Sequence, residues 1–300
     1  MHPPHAPRHV PAPPAGVTQP YHRLCDATPH FPTFPRAPVS SPPPLLPGLL
    51  ALTLAVACPH APLAAQTPVS PAPAQPPTQT TAERQRAEED RIHNDWANLH
   101  RYQQANAALP APAPGEDRVV FLGNSITEGW ARYFPTEFPG KPYVNRGIGG
   151  QTTPQLLVRF RQDVIALKPK VVVILAGTND IAGNTGPSTL EMIEDNLSSM
   201  AELARANGIR VVLSSVLPVY DYPWRPGLQP APKIVALNAW MRDYAAAHGC
   251  VYLDYHSAMA DERQGMRREL ASDGVHPTEA GYRVMAPLAE RAIAAALAQR

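Results

Sequence analysis

KVVVILAGTND, Lys170–Asp180, holds an unbroken apolar run of β-branched and long side chains that stops at a glycine. A strand with one wet face would alternate apolar and polar residues. A run apolar at every position is what a strand buried on both faces requires, which is the environment of a parallel sheet covered by helices. The neighbouring segments agree. RVVFLG (Arg118–Gly123) and IRVVLSSV (Ile209–Val216) are runs of the same kind, and YVNRGIGG (Tyr143–Gly150) and CVYLDY (Cys250–Tyr255), which carry polar residues, read as two further strands. Helical stretches lie between and after them: PQLLVRFRQDVIAL (Pro154–Leu167), a segment with Ser188 and Glu191 in capping-box spacing that stops at Gly208, APKIVALNAWMRDYAAAHG, and a closing helix with Pro277 near its start. A long loop rich in Pro, Tyr and Trp spans Leu217–Gln229. Alternating strands and helices predict an α/β fold, a flavodoxin-like three-layer α/β/α sandwich on a five-stranded parallel sheet.

In such sheets chemistry gathers outside the carboxyl ends of the strands. Gly123-Asn124-Ser125 follows the first strand, Gly149-Gly150-Gln151-Thr152 the second, and Gly177-Thr178-Asn179-Asp180 the third. SDGVHPT, with Asp273 and His276, follows the fifth. These groups suit acyl transfer. A serine hydroxyl is a weak nucleophile until a base takes its proton, and His276 is the natural candidate, since imidazole as a residue type suits proton transfer near neutrality. Asp273 accepts from the other ring nitrogen and stabilises the imidazolium. The backbone N–H groups of Ser125 and Gly150 and the amide of Asn179 supply donors for an oxyanion. A glycine at 150 suits close approach of substrate to backbone. As a plain helix cap Ser125 would need no such company. Asp254 and His256, separated by one residue at the end of the fifth strand, are the rival pair, and His248 suits a helix end. Asp180 reads as a loop-orienting group, Thr127 and Thr152 as supporting hydrogen-bonders. Trp130, Tyr220, Tyr222 and Trp224 allow two readings, an aromatic cleft or packing under the long loop.

Competing signatures are missing. Thr127 stands where a G-x-S-x-G elbow needs its second glycine. The chain has no G-x-x-x-x-G-K-[ST] loop, and Gly147, Gly149 and Gly150 do not form G-x-G-x-x-G. No cofactor is expected. The three cysteines, Cys25, Cys58 and Cys250, lack metal-ligand spacing, so no metal site or disulfide framework is expected either. A net charge of +1 offers no basic field for nucleic acid.

The blocks FLGNSIT, NRGIGGQTT, AGTND and DGVHPT, in that order, resemble those of the SGNH (GDSL-type) hydrolase family. Each block is weak alone, whereas all four in order at strand ends are specific, and the likeness covers about residues 118–299. The resemblance implies a metal-independent esterase with Ser125 as nucleophile, Asp273 and His276 completing the triad, and Gly150 and Asn179 at the oxyanion. It is closest to the group of platelet-activating-factor acetylhydrolase-like proteins and bacterial carbohydrate acetylesterases. The family's usual Asp before the nucleophile is Asn124 here. Asn keeps the shape and drops a charge, so activity is expected to survive. The expected substrate is a small acyl ester on carbohydrate. Alternatives are a lysophospholipase or arylesterase, acyl transfer to a sugar, and an exported carbohydrate-binding protein without turnover.

Of the 38 prolines, 22 lie before residue 81, and no packed domain is expected there. Residues 1–66 read as a Pro-rich leader. Leu45–Ala57, with Arg36 upstream and small residues at Ala55, Ala57, Ala64 and Ala65, resembles a signal-peptide core and is too short to span a bilayer. LAVAC resembles a lipoprotein box with Cys58 as a lipidated residue, and export is expected. Residues 1–44 are too long for an ordinary leader, which suggests a translation start after Met1 at an alternative codon, because the next methionine is Met192. Residues 67–81 read as a linker. Ala82–Leu109 is expected to be one amphipathic helix packing Ile92, Trp96, Leu99, Tyr102 and Ala105 on the domain of residues 116–300.

Overall fold

The computed structural model describes residues 80–299. The expected leader, its signal-like core, Cys58 and nearly all of the linker lie outside the described residues. In chain order the principal elements are α1 (Thr81–Asn94), α2 (Gln103–Ala108), β1 (Val119–Gly123), α3 (Ser125–Trp130), β2 (Tyr143–Gly147), α4 (Thr153–Asp163), β3 (Val171–Leu175), α5 (Leu190–Ala206), β4 (Arg210–Ser214), α6 (Ala231–His248), β5 (Val251–Leu253) and α7 (Glu279–Ala298).

The five strands form one parallel sheet in the order β2-β1-β3-β4-β5, the flavodoxin-like arrangement. Side chains alternate across it as the pleat dictates. Val120, Leu122, Val172 and Ile174 enter one core with Phe160 of α4, Leu197 of α5 and Leu237 of α6. Val119, Phe121, Val171 and Val173 enter the other with Trp130 of α3 and Met285 and Ile293 of α7. Both faces are therefore dry, which is why these strands carry no polar alternation.

Register positions the site. Gly123 pairs with Gly147 on one side and with Leu175 on the other, so three strands end level. The two glycines let α3 sit directly on these ends. A Cβ on Gly147 would stand 2.1 Å from Glu128 N, and one on Gly123 would stand 2.1 Å from Thr127 Oγ1 and 2.7 Å from Leu175 O.

Two local expectations need correction. The cap of α5 is Thr189, whose hydroxyl accepts from Met192 N, not Ser188. The stretch 82–109 is not one helix. It breaks after Asn94, passes Asn98 in the left-handed region at φ 54°, and resumes as a 3-10 turn (Leu99–Tyr102) followed by α2. The Asp95 carboxylate causes the restart, accepting from Leu99 N at 2.7 Å and His100 N at 3.0 Å. A side chain that takes up amide donors in this way competes with the helix ladder. The break turns the expected apolar stripe. Ala97 is buried and Leu99 and Tyr102 half-buried, while Ile92 and Trp96 are 46% and 39% exposed and Ala105 is exposed.

Candidate active site

Asn124 lies between β1 and α3 and caps the helix. It is buried, and its side-chain oxygen accepts from Ile126 N at 3.3 Å. The next residue, Ser125, is thereby raised above the sheet edge. Its Oγ lies 2.8 Å from His276 Nε2. On the far side of the ring, His276 Nδ1 lies 2.7 Å from Asp273 Oδ2. Ser125 and His276 are 151 positions apart in the chain, and the fold brings them into contact. Asp273 also accepts the backbone N–H groups of Val275 at 2.9 Å and His276 at 2.7 Å. Burial works to raise the Asp273 carboxyl, but these bonds and the His276 ring outweigh it and hold the group below its ordinary value. An ionised Asp273 fixes Nδ1 as the protonated ring nitrogen and leaves Nε2 to face the serine.

The second strand end carries a turn fastened from several sides. Ile148 N donates to Gly123 O at 3.1 Å, Gly149 N to Glu128 Oε2 at 2.9 Å, and Asn184 Nδ2 to Gly150 O at 3.3 Å. Gly150 is exposed at φ 74° with open space where a Cβ would be. The positive φ is a conformation that favours glycine, and the open space beside it leaves the backbone accessible. Asn179, at the third strand end, is buried and donates through Nδ2 to Gln151 O at 2.9 Å, so the two predicted oxyanion residues are joined through Gln151. Beside it, Asp180 accepts from Thr153 N at 2.9 Å and Thr153 Oγ1 at 2.6 Å and ties this loop to the start of α4. Burial raises its carboxyl, against the pull of the Thr153 bonds.

The rival pair separates. Asp254 accepts from Ser257, while His256 is buried, its ring driven towards the neutral form by burial against the opposing pull of Asp254. The aromatic residues divide as well. Trp130 and Tyr222 are buried, and Tyr220 lies under Arg263, its ring 3.7 Å from the guanidinium carbon. Trp224 stands 41% exposed with its ring 6.2 Å from that of His276. Trp224 also lines a cleft of about 780 Å³ with Ile92, Trp96, Gly150 and Arg225. A second cleft of about 650 Å³ is lined by Ser125, Tyr133, His276 and Tyr282. Among the described residues no three His, Cys, Asp or Glu side chains group as metal ligands, and no helix is long and apolar enough to cross a membrane.

Sequence reasoning missed several groups that hold this site. Arg159, wholly buried on α4, donates to Gln151 Oε1 at 2.6 Å, Asp163 Oδ2 at 3.0 Å, Gly123 O at 2.9 Å and Arg146 O at 2.8 Å. The available signal was that Arg159 and Asp163, four apart, share the helix face of Leu156 and Phe160, where a charge needs a partner. Trp96, expected to pack on the domain, lines the larger of the two clefts instead.

A flavodoxin-like sheet whose carboxyl edge joins a hydroxyl, an imidazole and a carboxylate has the layout of the α/β ester hydrolases. Within them this chain belongs to the GDSL-like lipase/acylhydrolase family, whose model matches residues 121–284. The crystal structure of a GDSL-like lipase from Bacteroides thetaiotaomicron is 48% identical and superposes with a TM-score of 0.65, over 67% of this chain and 100% of that one. An acetylxylan esterase of Xylanibacter ruminicola is 28% identical over 222 residues, 62% of this chain and 45% of that protein. An uncharacterized lipoprotein of Bacillus subtilis is 32% identical over 124 residues, 36% of this chain and 51% of that protein. The chain thus spans about half the length of these two curated relatives.

Proposed function

We propose that this protein is a serine esterase that removes small acyl groups, acetyl foremost, from carbohydrate. The reading is carried by the 2.8 Å contact between Ser125 Oγ and His276 Nε2, with Asp273 on the other ring nitrogen. His276 takes the Ser125 proton as the oxygen attacks the ester carbonyl. The resulting oxyanion meets the N–H groups of Ser125 and Gly150 and the second N–H of the Asn179 amide, the first being engaged by Gln151 O. His276 then protonates the departing alcohol. Water, deprotonated by the same ring, releases the acyl group from Ser125, and Asp273 stabilises the imidazolium in both halves.

The carbohydrate assignment draws on Trp96 and Trp224, two exposed indoles beside Gly150, whose flat apolar faces suit a sugar ring. The acetylxylan esterase among the relatives supports it. The likeness to a lipoprotein supports export, with Cys58 as the residue to lipidate.

Mass spectrometry after fluorophosphonate treatment should find the label on Ser125, and Ser125→Ala should lower turnover by about 10⁴-fold or more. Label elsewhere, or a Ser125→Ala protein of ordinary activity, refutes the mechanism. Across p-nitrophenyl esters from acetate to palmitate, acetate should be preferred, followed by release of acetate from acetylated xylan. A maximum at long chains points to a lipid esterase, and an acylated product with added acceptor sugar points to a transferase.

A further inference from the structure

The residues matched to the family begin at Phe121, yet the segment ahead of them is bound into the site. Gln155 Nε2 donates to Trp96 O at 2.8 Å, Gln151 Nε2 to Ala97 O at 2.7 Å, and Gln162 Nε2 to Leu99 O at 2.7 Å. Tyr102 Oη donates to Gly147 O, and Arg146 Nε to Asn106 Oδ1 at 2.8 Å. Three of these five contacts land on α4 or its approach and two on the end of β2, so the segment is held against the turn that carries Gly149 and Gly150.

From this fixed segment Arg101 reaches Glu128, Nη2 to Oε1, at 3.1 Å. Glu128 stands three residues after Ser125, and its other oxygen accepts the Gly149 N–H at 2.9 Å. The point that a Cβ on Gly149 would occupy lies 3.0 Å from Glu128 Oε2 and 3.8 Å from Ser125 Cβ. Carboxylate and nucleophile are therefore separated by little more than one glycine. A charged acceptor holds an N–H more firmly than a neutral one, which favours Glu at this position for fixing the turn. The same negative charge would oppose an oxyanion forming nearby, since like charges repel over such distances. A guanidinium on the other oxygen offsets that charge.

We propose that Glu128 and Arg101 are a coupled pair of positioning residues. Glu128 fixes the Gly149–Gly150 turn, and Arg101, from outside the family-matched region, neutralises Glu128 so that the turn can serve an oxyanion. The proposal rests on the serine-esterase reading above and adds the N-terminal segment to its machinery. Neither residue touches the reacting atoms.

The test uses the full chain with Arg101→Gln, Glu128→Gln and the double variant, assayed with p-nitrophenyl acetate at low and high ionic strength. Arg101→Gln should lower kcat about tenfold and change KM less than about twofold, because the unpaired carboxylate acts on the transition state. Part of that loss should return as salt screens the charge. Glu128→Gln keeps an acceptor for Gly149 and should lose less. The double variant should recover at least about threefold over Arg101→Gln, since the offending charge is gone. Unfolding temperatures should stay within about 2 °C of the parent, because the pair is half exposed. A double variant as slow as or slower than Arg101→Gln, with no salt response, overturns the proposal and leaves an ordinary structural ion pair. Wild-type kcat in Arg101→Gln overturns it too. Failure of the esterase reading shows differently, as absence of fluorophosphonate label on Ser125 in the parent protein.

Discussion

Replacing Arg159 by Met keeps the length of the side chain and removes every bond the guanidinium makes. Asp163, itself fully buried, loses its counter-charge at 3.0 Å and retains the Asn106 amide at 2.7 Å. Gly123 O loses its 2.9 Å bond from the guanidinium, Arg146 O its 2.8 Å bond, and Gln151 Oε1 its 2.6 Å bond. Breaking a buried pair by removing one partner costs about 3–5 kcal/mol, since a desolvated charge is left behind. The carbonyl losses belong to the same perturbation and place the cost at the upper part of that range. Against a typical stability of about 5–15 kcal/mol, this is a third or more of the whole. At about 2–4 °C per kcal/mol for a domain of this size, the unfolding temperature should fall by about 12 °C. Urea unfolding followed by circular dichroism should show the midpoint falling at constant slope. Adding Asp163→Asn removes the stranded charge, so the double variant should be at least about 1 kcal/mol more stable than the two single losses added together. Arg159→Lys should rescue little, because one ammonium cannot serve four acceptors spread around a planar fork. Since the lost acceptors include the residue two before Ser125 and the one after Gly150, labelling of Ser125 should slow as well. An Arg159→Met protein within about 1 kcal/mol of the parent would refute this account of what holds the strand ends.

Other outcomes follow from the same geometry. Gly147→Ala drives a methyl into the backbone of Glu128 and should cost about 3 kcal/mol or more, whereas Gly150→Ala meets open space and should cost only the roughly 1–2 kcal/mol of a left-handed residue, both read by urea unfolding. Asn124→Asp keeps the oxygen that accepts from Ile126 N, so turnover should stay within about tenfold, or about 1.4 kcal/mol of barrier; a larger rise means the missing charge matters. His256 is held neutral by burial, so the unfolded chain takes up a proton first, near its ordinary value of about 6.5. Its contribution to stability is thus complete above that value and is lost as pH falls towards the lower native value. His256→Phe should flatten the fall in urea midpoint between about pH 7 and pH 5, and an unchanged slope would show that another group is responsible.

The sheet was legible because its signal is local. Three apolar runs suffice to name the central strands buried on both faces, two shorter segments mark the edge strands, and each of the five holds a strand within a few residues of the expected bounds. The candidate site was legible for a related reason, since three of its blocks sit just past strands whose level ends bring them to one edge, and the fourth, with Asp273 and His276, stands just before the last helix. The break at Asp95 was not legible. The composition on both sides of it favours helix, and the interruption depends on one carboxylate taking up the amides of Leu99 and His100. Trp96 followed the apolar spacing of its neighbours and was turned to the cleft by that break.

The amino-acid order alone therefore determined the alternation of elements, the dryness of the sheet and the residue types available at its edge, because periodicity and composition act over a few residues at a time. The three-dimensional arrangement alone decided which of those residues meet. The bonds from Arg159 to carbonyls of two strands, and the chain Arg101–Glu128–Gly149, link segments with no shared period. Their existence depends on strand order and register, and a buried polar group finds its partner only after the backbone around it has been placed.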